Sequence, residues 1–147
     1  MIRPAAQGDA DAAAELYLRA RRAAMPAIPP PAHDDHDVRR WFAEVVLPTR
    51  EAWLAETDRL IGLMVLHGDW LDQLYLDPDW TGRGVGHQLV ELAKRRRPQG
   101  LQLWTFASNT RAQAFYARKG FVAVERTDGS ANEEHAPDIR YVWRPAP

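Results

Sequence analysis

The chain has 147 residues, of which 46% are hydrophobic and 27% are charged, and its formal net charge is -1. These values are typical of one globular domain that is long enough to bury a core. The chain has no cysteine, which excludes disulfides, thiolate zinc sites and a cysteine nucleophile. Its only serines are Ser108 and Ser130, so we expect any reaction to proceed without a covalent intermediate on the protein.

No apolar run approaches the roughly 20 residues that a membrane helix needs, and the first residues lack the pattern of a signal peptide. We therefore expect a cytoplasmic location and no membrane partner. Residues 1–70 contain 8 Lys or Arg and 11 Asp or Glu, whereas residues 71–147 contain 11 and 9. Neither half is basic enough to predict a nucleic-acid partner, and a homodimer is compatible with these features.

The beginning of the chain predicts a strand followed by an amphipathic helix. Residues 2–5 form the strand, and residues 9–24 have helical periodicity. The apolar stripe of this helix consists of Ala13, Leu16, Tyr17 and Ala20. Prolines within residues 26–31 then predict an extended loop.

A second helix follows an acidic segment that contains two histidines. Asp34 or Asp35 is placed to cap this helix, which we expect to end at Pro48. Its predicted buried face consists of Val38, Trp41, Phe42 and Val45. His33 and His36 are of the type that binds metals, but no further ligands follow at a defining spacing. The segment therefore favours helix capping, and no metal is predicted.

The rest of the chain predicts six strands and two helices. The strands are Glu51–Glu56, Leu60–His67, Trp70–Leu76, Leu101–Phe106, Val122–Thr127 and 140–144. Turn residues between the first three predict an antiparallel meander. One helix runs from the glycines at 82–86 to Pro98, and the other runs from Asn109 to Gly120.

The element order is therefore β-α-α-β-β-β-α-β-α-β-β. It predicts an α/β (α+β) fold in which helices flank a mixed, mostly antiparallel sheet. No internal repeat and no second linker interrupt the chain, so we expect residues 1–147 to form a single domain.

A glycine-rich turn follows the strand Trp70–Leu76 and opens the next helix. Helix N-termini carry unpaired backbone N–H groups and partial positive charge, and Gly82, Gly84 and Gly86 would let a phosphate approach the backbone. The dinucleotide fingerprint lacks its third glycine here, and the Walker loop lacks its Gly-Lys-Ser or Gly-Lys-Thr. The turn alone is thus compatible with a pyrophosphate site or with a simple connection.

This turn resembles the coenzyme A signature of the GNAT superfamily of N-acetyltransferases. In that pattern Gln or Arg is followed, after two residues, by Gly-x-Gly or Gly-x-Ala; Gly84 and Gly86 match, and Thr81 replaces the Gln or Arg. The later segment Asn109-x-Arg111-Ala112-x-x-Phe115-Tyr116-x-x-x-Gly120-Phe121 resembles the second coenzyme-binding helix of the family. Because residues 2–17 also resemble the family's opening, the likeness covers nearly the whole chain.

The resemblance implies that acetyl-coenzyme A donates its acetyl group directly to an amine in a ternary complex. Such a reaction needs a base, donors for the oxyanion and an acid. Tyr116 matches the family's acid, although a core aromatic would occupy the same position. The implied coenzyme-binding residues are Leu74, Tyr75, Leu76, Thr81, Gly82, Arg83, Gly84, Val85, Gly86, His87, Asn109, Arg111, Ala112 and Tyr116. The backbone of the first three would supply the oxyanion donors.

The base is assigned from strand alternation. Alternate residues share a face of a strand, so Asp72 would lie beside Leu74 and Leu76 and would act directly or through a water. A solvated carboxylate at Asp72, and His67 as the base, are the alternatives.

Several cations are candidates for contacts with the coenzyme phosphates. Arg83, His87 and Arg111 are close in sequence to the two motifs, although each is also compatible with an exposed charge. The basic run 94–97 lies about 15 Å along the helix from the glycine turn. Cations at a helix C-terminus have an electrostatic role of their own.

The resemblance also implies where the acceptor amine binds. The first two helices and the loop between the last two strands would wall its pocket, which places Trp41, Glu133 and Glu134 there. Acidic residues would suit a cationic amine of a small molecule or peptide, whereas a solvated polar loop is the simpler interpretation. The same fold is also compatible with a non-catalytic, coenzyme-binding regulatory domain.

Overall fold

The computed structural model describes residues 1–147 and contains one seven-stranded sheet in the order β1-β2-β3-β4-β5-β7-β6. The strands are β1 (Ile2–Pro4), β2 (Glu51–Glu56), β3 (Leu60–His67), β4 (Trp70–Leu76), β5 (Leu101–Phe106), β6 (Val122–Thr127) and β7 (Asp138–Trp143). Only the β4/β5 pair is parallel; the other pairs are antiparallel. The predicted mixed, mostly antiparallel sheet and the predicted element order are confirmed.

Helices cover both faces of the sheet. They are α1 (Ala10–Ala24), α2 (Asp35–Trp41), α3 (Leu47–Thr49), α4 (Val85–Arg96) and α5 (Thr110–Arg118). Short 3-10 turns occupy Gln7–Asp9 and Pro78–Trp80, and a π-helical segment, Phe42–Val46, joins α2 to α3. No helix has both the length and the apolar character needed to cross a membrane.

The helix that begins at Asp35 does not end at Pro48, as its sequence predicts, but continues to Thr49. The Leu47 N–H bonds to the Phe42 carbonyl, so the backbone widens into a π turn before the proline. Widening relieves the clash that a proline ring makes within a regular helix. The wider turn also changes the buried face, because Val46 rather than Val45 is fully buried.

Two apolar clusters lie on opposite faces of the sheet. Strand β3 contributes to both: Met64 and Leu66 pack with α4, whereas Leu63 and Val65 pack with α1 and the second helix. A strand that is buried on both faces reads as a continuous apolar run, as Leu60–His67 does. The sheet is therefore the centre of the fold, and α4 and α5 share one face of it.

Strands β4 and β5 are paired at one end only, where Trp70 is opposite Gln102. Beyond that pair the two strands separate and leave a gap in the middle of the sheet. Strand β7 lies between β5 and β6 and starts at Asp138, two residues before the predicted start at 140. Its first residues are held by pairing on both sides, which periodicity does not reveal.

Candidate functional site

The gap between β4 and β5 opens into a cleft of about 610 Å³, the coenzyme cleft below. The Asp77 N–H donates to the Ile61 carbonyl of β3 at 2.8 Å. Because amides alternate in direction along an antiparallel ladder, the Tyr75 amide also points toward β3. The amides of Leu74 and Leu76 therefore point away from β3, into the cleft.

Tyr75 differs from Leu74 and Leu76 in where its side chain packs as well as in the direction of its amide. Its ring packs against Tyr17 of α1 at a centroid distance of 4.8 Å. Leu74 and Leu76 pack on the α4 and α5 side of the sheet. Within the predicted donor segment Leu74 to Leu76, the amides of the two leucines are thus the ones directed into the cleft, whereas the Tyr75 amide belongs to the β3 ladder.

The glycine turn also lines the cleft. Gly82 and Gly84 have φ values of +76° and +86°, and no atom lies within 4 Å of a Cβ built on either. Gly84 caps α4, so the first-turn amides of Val85, Gly86 and His87 have no partner within the helix. The turn thus presents open space and unpaired donors to the cleft.

Gly86 has a different reason to be a glycine than its neighbours in the turn. A Cβ there would lie 3.3 Å from Phe115 Cζ and 3.4 Å from Leu76 Cδ1. Such contacts are tight, so Gly86 allows α4 to pack closely against α5 and β4. At Gly86 the structure thus shows a packing requirement, whereas the space predicted for phosphate lies open at Gly82 and Gly84.

Twelve of the fourteen predicted coenzyme-binding residues line the cleft, the exceptions being Arg83 and Val85. The Arg83 guanidinium stacks over the Trp80 ring at 4.7 Å, and the Val85 side chain is buried in the core. Asn109 caps α5 by accepting from the Ala112 N–H at 3.2 Å. Two basic residues that sequence patterns did not single out, Arg118 and Lys119, also line the cleft.

Lys119 adds a cation beside the glycine turn. Its ammonium donates to His87 Nδ1, so the last residues of the α5 segment and the first turn of α4 meet at the cleft. Arg111, at the beginning of α5, lines the same cleft. The N-terminus of α4 is therefore accompanied by the Lys119 ammonium, an arrangement that suits a phosphate.

Tyr116 of α5 is only 9% exposed and lines the cleft. Its ring packs edge-on against Phe115 at 5.2 Å and against Phe121 at 5.5 Å. Burial raises the pKa of the phenol above its ordinary value. The hydroxyl therefore stays protonated at neutral pH, which a general acid requires.

A second cavity of about 810 Å³, the acceptor cavity below, lies on the opposite side of β4. Its walls include α1, the second helix and the loop between β6 and β7. It shares six lining residues with the coenzyme cleft, among them Asp72 and Tyr75, so the two spaces meet at β4. All three predicted acceptor residues, Trp41, Glu133 and Glu134, line it.

Asp72 lies at a β-bulge rather than in regular strand. Val65 pairs with Gln73 and Leu66 pairs with Leu71, which leaves Asp72 as the extra residue. Leu71 packs in the apolar cluster with Leu74 and Leu76, so the simple alternation that placed Asp72 beside the two leucines is interrupted at the bulge. The bulge instead turns Asp72 toward Arg50, whose Nη1 donates to Oδ2 at 2.5 Å. Asp72 lines both the cleft and the cavity.

The histidines near the second helix have partners of their own. His33 Nε2 lies 2.7 Å from Glu133 Oε2, across the mouth of the acceptor cavity. Asp34 caps α2 by accepting from the Asp37 N–H at 2.8 Å, as the capping interpretation predicts. His36 is exposed, and no group of three or more His, Cys, Asp or Glu side chains is placed to hold a metal.

Sequence patterns also did not single out Arg21, Arg50 and Thr105, which line the acceptor cavity. Arg21 is four residues after Tyr17, so it continues the apolar stripe of α1. An arginine within an apolar stripe could have marked Arg21 as a candidate functional residue, because buried arginines are rare.

Comparison with known proteins gives the class of this chain. The model of the acetyltransferase (GNAT) domain family matches residues 48–123. The chain therefore belongs to the GNAT acetyltransferase family, as its two motifs predict.

The chain resembles two bacterial acetyltransferases, one over just over half of its length and the other over most of it. It is 39% identical to the peptidyl-lysine N-acetyltransferase YjaB of Salmonella typhimurium over 84 residues, which are 56% of this chain and 57% of that protein. It is 28% identical to the peptidyl-lysine N-acetyltransferase YiaC of Escherichia coli over 127 residues, 85% of each chain. The match to YjaB thus spans just over half of its length.

Among solved structures, the apo form of YjaB from Escherichia coli superimposes with a TM-score of 0.78. The alignment has 25% sequence identity and covers 99% of this chain and 98% of that one. The fold is therefore shared over nearly the whole chain.

Proposed function

We propose that residues 1–147 act as one domain that transfers an acetyl group from acetyl-coenzyme A to a primary amine of a small molecule or peptide. The observation that carries this proposal is the gap between β4 and β5. Its lining includes Leu74 and Leu76, whose amides point outward, and the residues at the N-terminus of α4. Membership of the GNAT family supports the same reaction.

The residues present fit the coenzyme. The unpaired first-turn amides of α4 and the open space beside Gly82 and Gly84 suit its pyrophosphate. Lys119 adds positive charge beside His87, and Arg111 adds positive charge to the lining of the cleft. The amides of Leu74 and Leu76 can pair with the extended pantetheine arm. When bound, the coenzyme supplies an acetyl group activated as a thioester.

The amides in this part of β4 have a second use. A backbone N–H that points into a water-poor cleft stabilises negative charge developing on a carbonyl oxygen. We assign this role to the segment 74–76, with the donors at Leu74 and Leu76. The reaction needs no nucleophile on the protein, which agrees with the absence of cysteine.

Two side chains move the protons. Asp72 accepts a proton from the acceptor amine, directly or through a water, as the nitrogen bonds to the acetyl carbon. Tyr116 gives its proton to the sulfur as the carbon–sulfur bond breaks. Both residues line the cleft, and Asp72 also lines the acceptor cavity from which the amine would arrive.

The lining of the acceptor cavity indicates which kind of amine would bind there. Trp41 contributes an apolar wall, and Glu133 and Glu134 contribute negative charge that suits a cationic amine. YjaB and YiaC are both described as peptidyl-lysine N-acetyltransferases, which supports a lysine side chain as one acceptor. A non-catalytic coenzyme-binding domain is not favoured, because it would need neither the acceptor cavity nor Tyr116 in the cleft.

Two measurements test the proposal. Titration calorimetry with acetyl-coenzyme A tests binding, and release of free coenzyme thiol on mixing with a library of amines and lysine peptides tests transfer. We expect both to be positive. Binding without thiol release from any amine would favour the regulatory alternative, and absence of binding would contradict both.

A further inference from the structure

Three buried side-chain polar atoms have no hydrogen-bond partner in this structure: Arg21 Nε, Arg50 Nε and Thr105 Oγ1. All three residues line the acceptor cavity. Buried polar atoms almost always find a partner, so unpartnered ones need an explanation. Their concentration around one cavity indicates that this cavity receives a polar ligand.

Arg21 is the charged residue of this set that has no counter-ion. It is 6% exposed and has no carboxylate partner. Its guanidinium bonds at 3.4 Å to the Tyr17 hydroxyl, at 3.5 Å to the Tyr75 hydroxyl and at 3.3 Å to the Pro29 carbonyl. These distances exceed the usual value of about 2.9 Å. Arg50, by contrast, has Asp72 as a counter-ion.

A buried cation without a counter-ion is costly, and its cost falls when an anion arrives. The contacts of Arg21 hold the guanidinium at the cavity wall without neutralising it. Its planar fork of donors matches the two oxygens of a carboxylate.

The cavity also contains an acid that has no cationic partner. Glu133 pairs with His33, whereas Glu134, half-buried on the same loop, makes no ion pair. Arg21 and Glu134 both line the cavity, and Glu134 is close enough to interact electrostatically with the guanidinium, but no ion pair joins them. A ligand that carries one positive and one negative group would satisfy both.

We propose that Arg21 binds a carboxylate of the acceptor, so that the preferred acceptor is an amine with a carboxylate nearby. This proposal rests on the proposed acetyl transfer. A free amino acid presents both groups in one molecule, and a peptide presents them where an acidic side chain neighbours a lysine. In both cases Glu134 faces the ammonium and Arg21 faces the carboxylate.

The test compares matched acceptors that differ only in this charge. Free amino acids are paired with their carboxamides, and lysine peptides with a neighbouring Asp are paired with the same peptides carrying Asn. In at least one set, we expect the acceptor with the carboxylate to have a kcat/KM about 10- to 100-fold higher than its neutral counterpart. A hydrogen bond to a charged group has an effect of about this size. The set that shows the preference identifies the source of the carboxylate.

Variants locate the preference at Arg21. Arg21→Met should abolish it, and Arg21→Lys should keep part of it, because the charge remains while the fork is lost. Arg22→Met is the matched control, since Arg22 is exposed on the same helix and pairs with Asp35; it should keep the full preference. If Arg21→Met does not fold, the wild-type comparison and Arg21→Lys decide the question.

A binding measurement separates this proposal from acetyl transfer. Calorimetry of the same acceptor pairs on protein loaded with coenzyme A requires no turnover. Equal affinity and equal kcat/KM for every charged and neutral pair would overturn the role of Arg21 while leaving acetyl transfer intact. Preferential binding of the charged members without any turnover would support Arg21 and contradict the proposed reaction.

Discussion

At the scale of single residues, Tyr116 has an environment that serves two purposes. Phe115 and Phe121 pack against its ring, and the same residue lines the coenzyme cleft. The burial that raises the pKa of the phenol also keeps its proton available. Packing and acid catalysis are therefore compatible at this position.

The variant Tyr116→Phe removes the hydroxyl and keeps the ring. We expect kcat to fall by about 10²- to 10⁴-fold, the usual contribution of a general acid. The dissociation constant for acetyl-coenzyme A should change little, because the ring still fills its place. Steady-state kinetics and calorimetry check the two halves of this prediction, and undiminished turnover would refute the acid role.

Asp72 is tested by removing its negative charge without changing its shape. In Asp72→Asn the amide oxygen can still accept from Arg50, so the bulge should persist. We expect kcat/KM to fall about 100-fold at pH 7. The loss should shrink as the pH approaches the lysine pKa of about 10.4, because the acceptor then arrives deprotonated. A loss that is constant across pH would indicate a structural role instead.

At the scale of elements, the C-terminal end of α4 is tied to β2. Glu51 Oε2 accepts from Arg96 Nε at 2.6 Å, and Oε1 accepts from Arg97 Nη1 at 3.1 Å. Lys94 donates to the Lys119 carbonyl at 2.6 Å. The basic run 94–97 therefore anchors the helix whose other end forms the glycine turn.

Glu51 makes this anchor pH-dependent. Partial burial of Glu51 opposes its ionisation, but hydrogen bonds from Arg96, Trp53 and Arg97 outweigh burial and lower its pKa from 4.5 to about 2. A carboxyl group whose pKa is lower in the folded protein stabilises the fold at pH values above its unfolded-state pKa. This stabilisation is lost as the pH falls toward the folded-state pKa. Glu51→Gln should therefore lower the free energy of unfolding by roughly 1–3 kcal/mol at pH 7 and by less at pH 3.

Urea unfolding of wild type and variant at both pH values measures this difference. Glu125→Gln is a suitable control, because Glu125 pairs with Arg140 nearer the surface. Surface pairs contribute about 0–1 kcal/mol, so the control should change little at either pH. An equal cost of Glu51→Gln at pH 7 and pH 3 would contradict the assignment.

At the scale of the whole molecule, two cavities on opposite sides of β4 meet beside the Asp72 bulge. The coenzyme cleft is lined by β4, β5, the glycine turn and α5, whereas the acceptor cavity is walled by the first two helices and the β6–β7 loop and shares part of β4 and β5 with the cleft. This division predicts that changes in the acceptor cavity alter recognition of the amine and leave coenzyme binding intact.

The double variant Glu133→Ala, Glu134→Ala tests that division. We expect the KM for a cationic acceptor to rise about 5- to 20-fold, as loss of a charged hydrogen bond would produce. The dissociation constant for acetyl-coenzyme A should be unchanged by calorimetry. An unchanged acceptor KM would remove the two glutamates from the acceptor site.

The sequence by itself determined the features that depend on near neighbours. Hydrophobic period, turn residues and helix caps are local, so five of the strands have their predicted bounds and Asn109 caps α5 as expected. The glycine turn and the Asn109 to Phe121 segment are also local patterns. They were sufficient to indicate the family and the position of the coenzyme cleft.

Only the tertiary structure decided the features that depend on pairing between distant segments. The bulge that redirects Asp72 arises from the register of β3 with β4, and its partner Arg50 is 22 residues away. The exposure and partners of Arg21 depend on Tyr75, 54 residues further along the chain. Counter-ions are set by what packs nearby in space, so the apolar stripe of α1 could mark Arg21 as buried but could not show that it lacks a carboxylate partner.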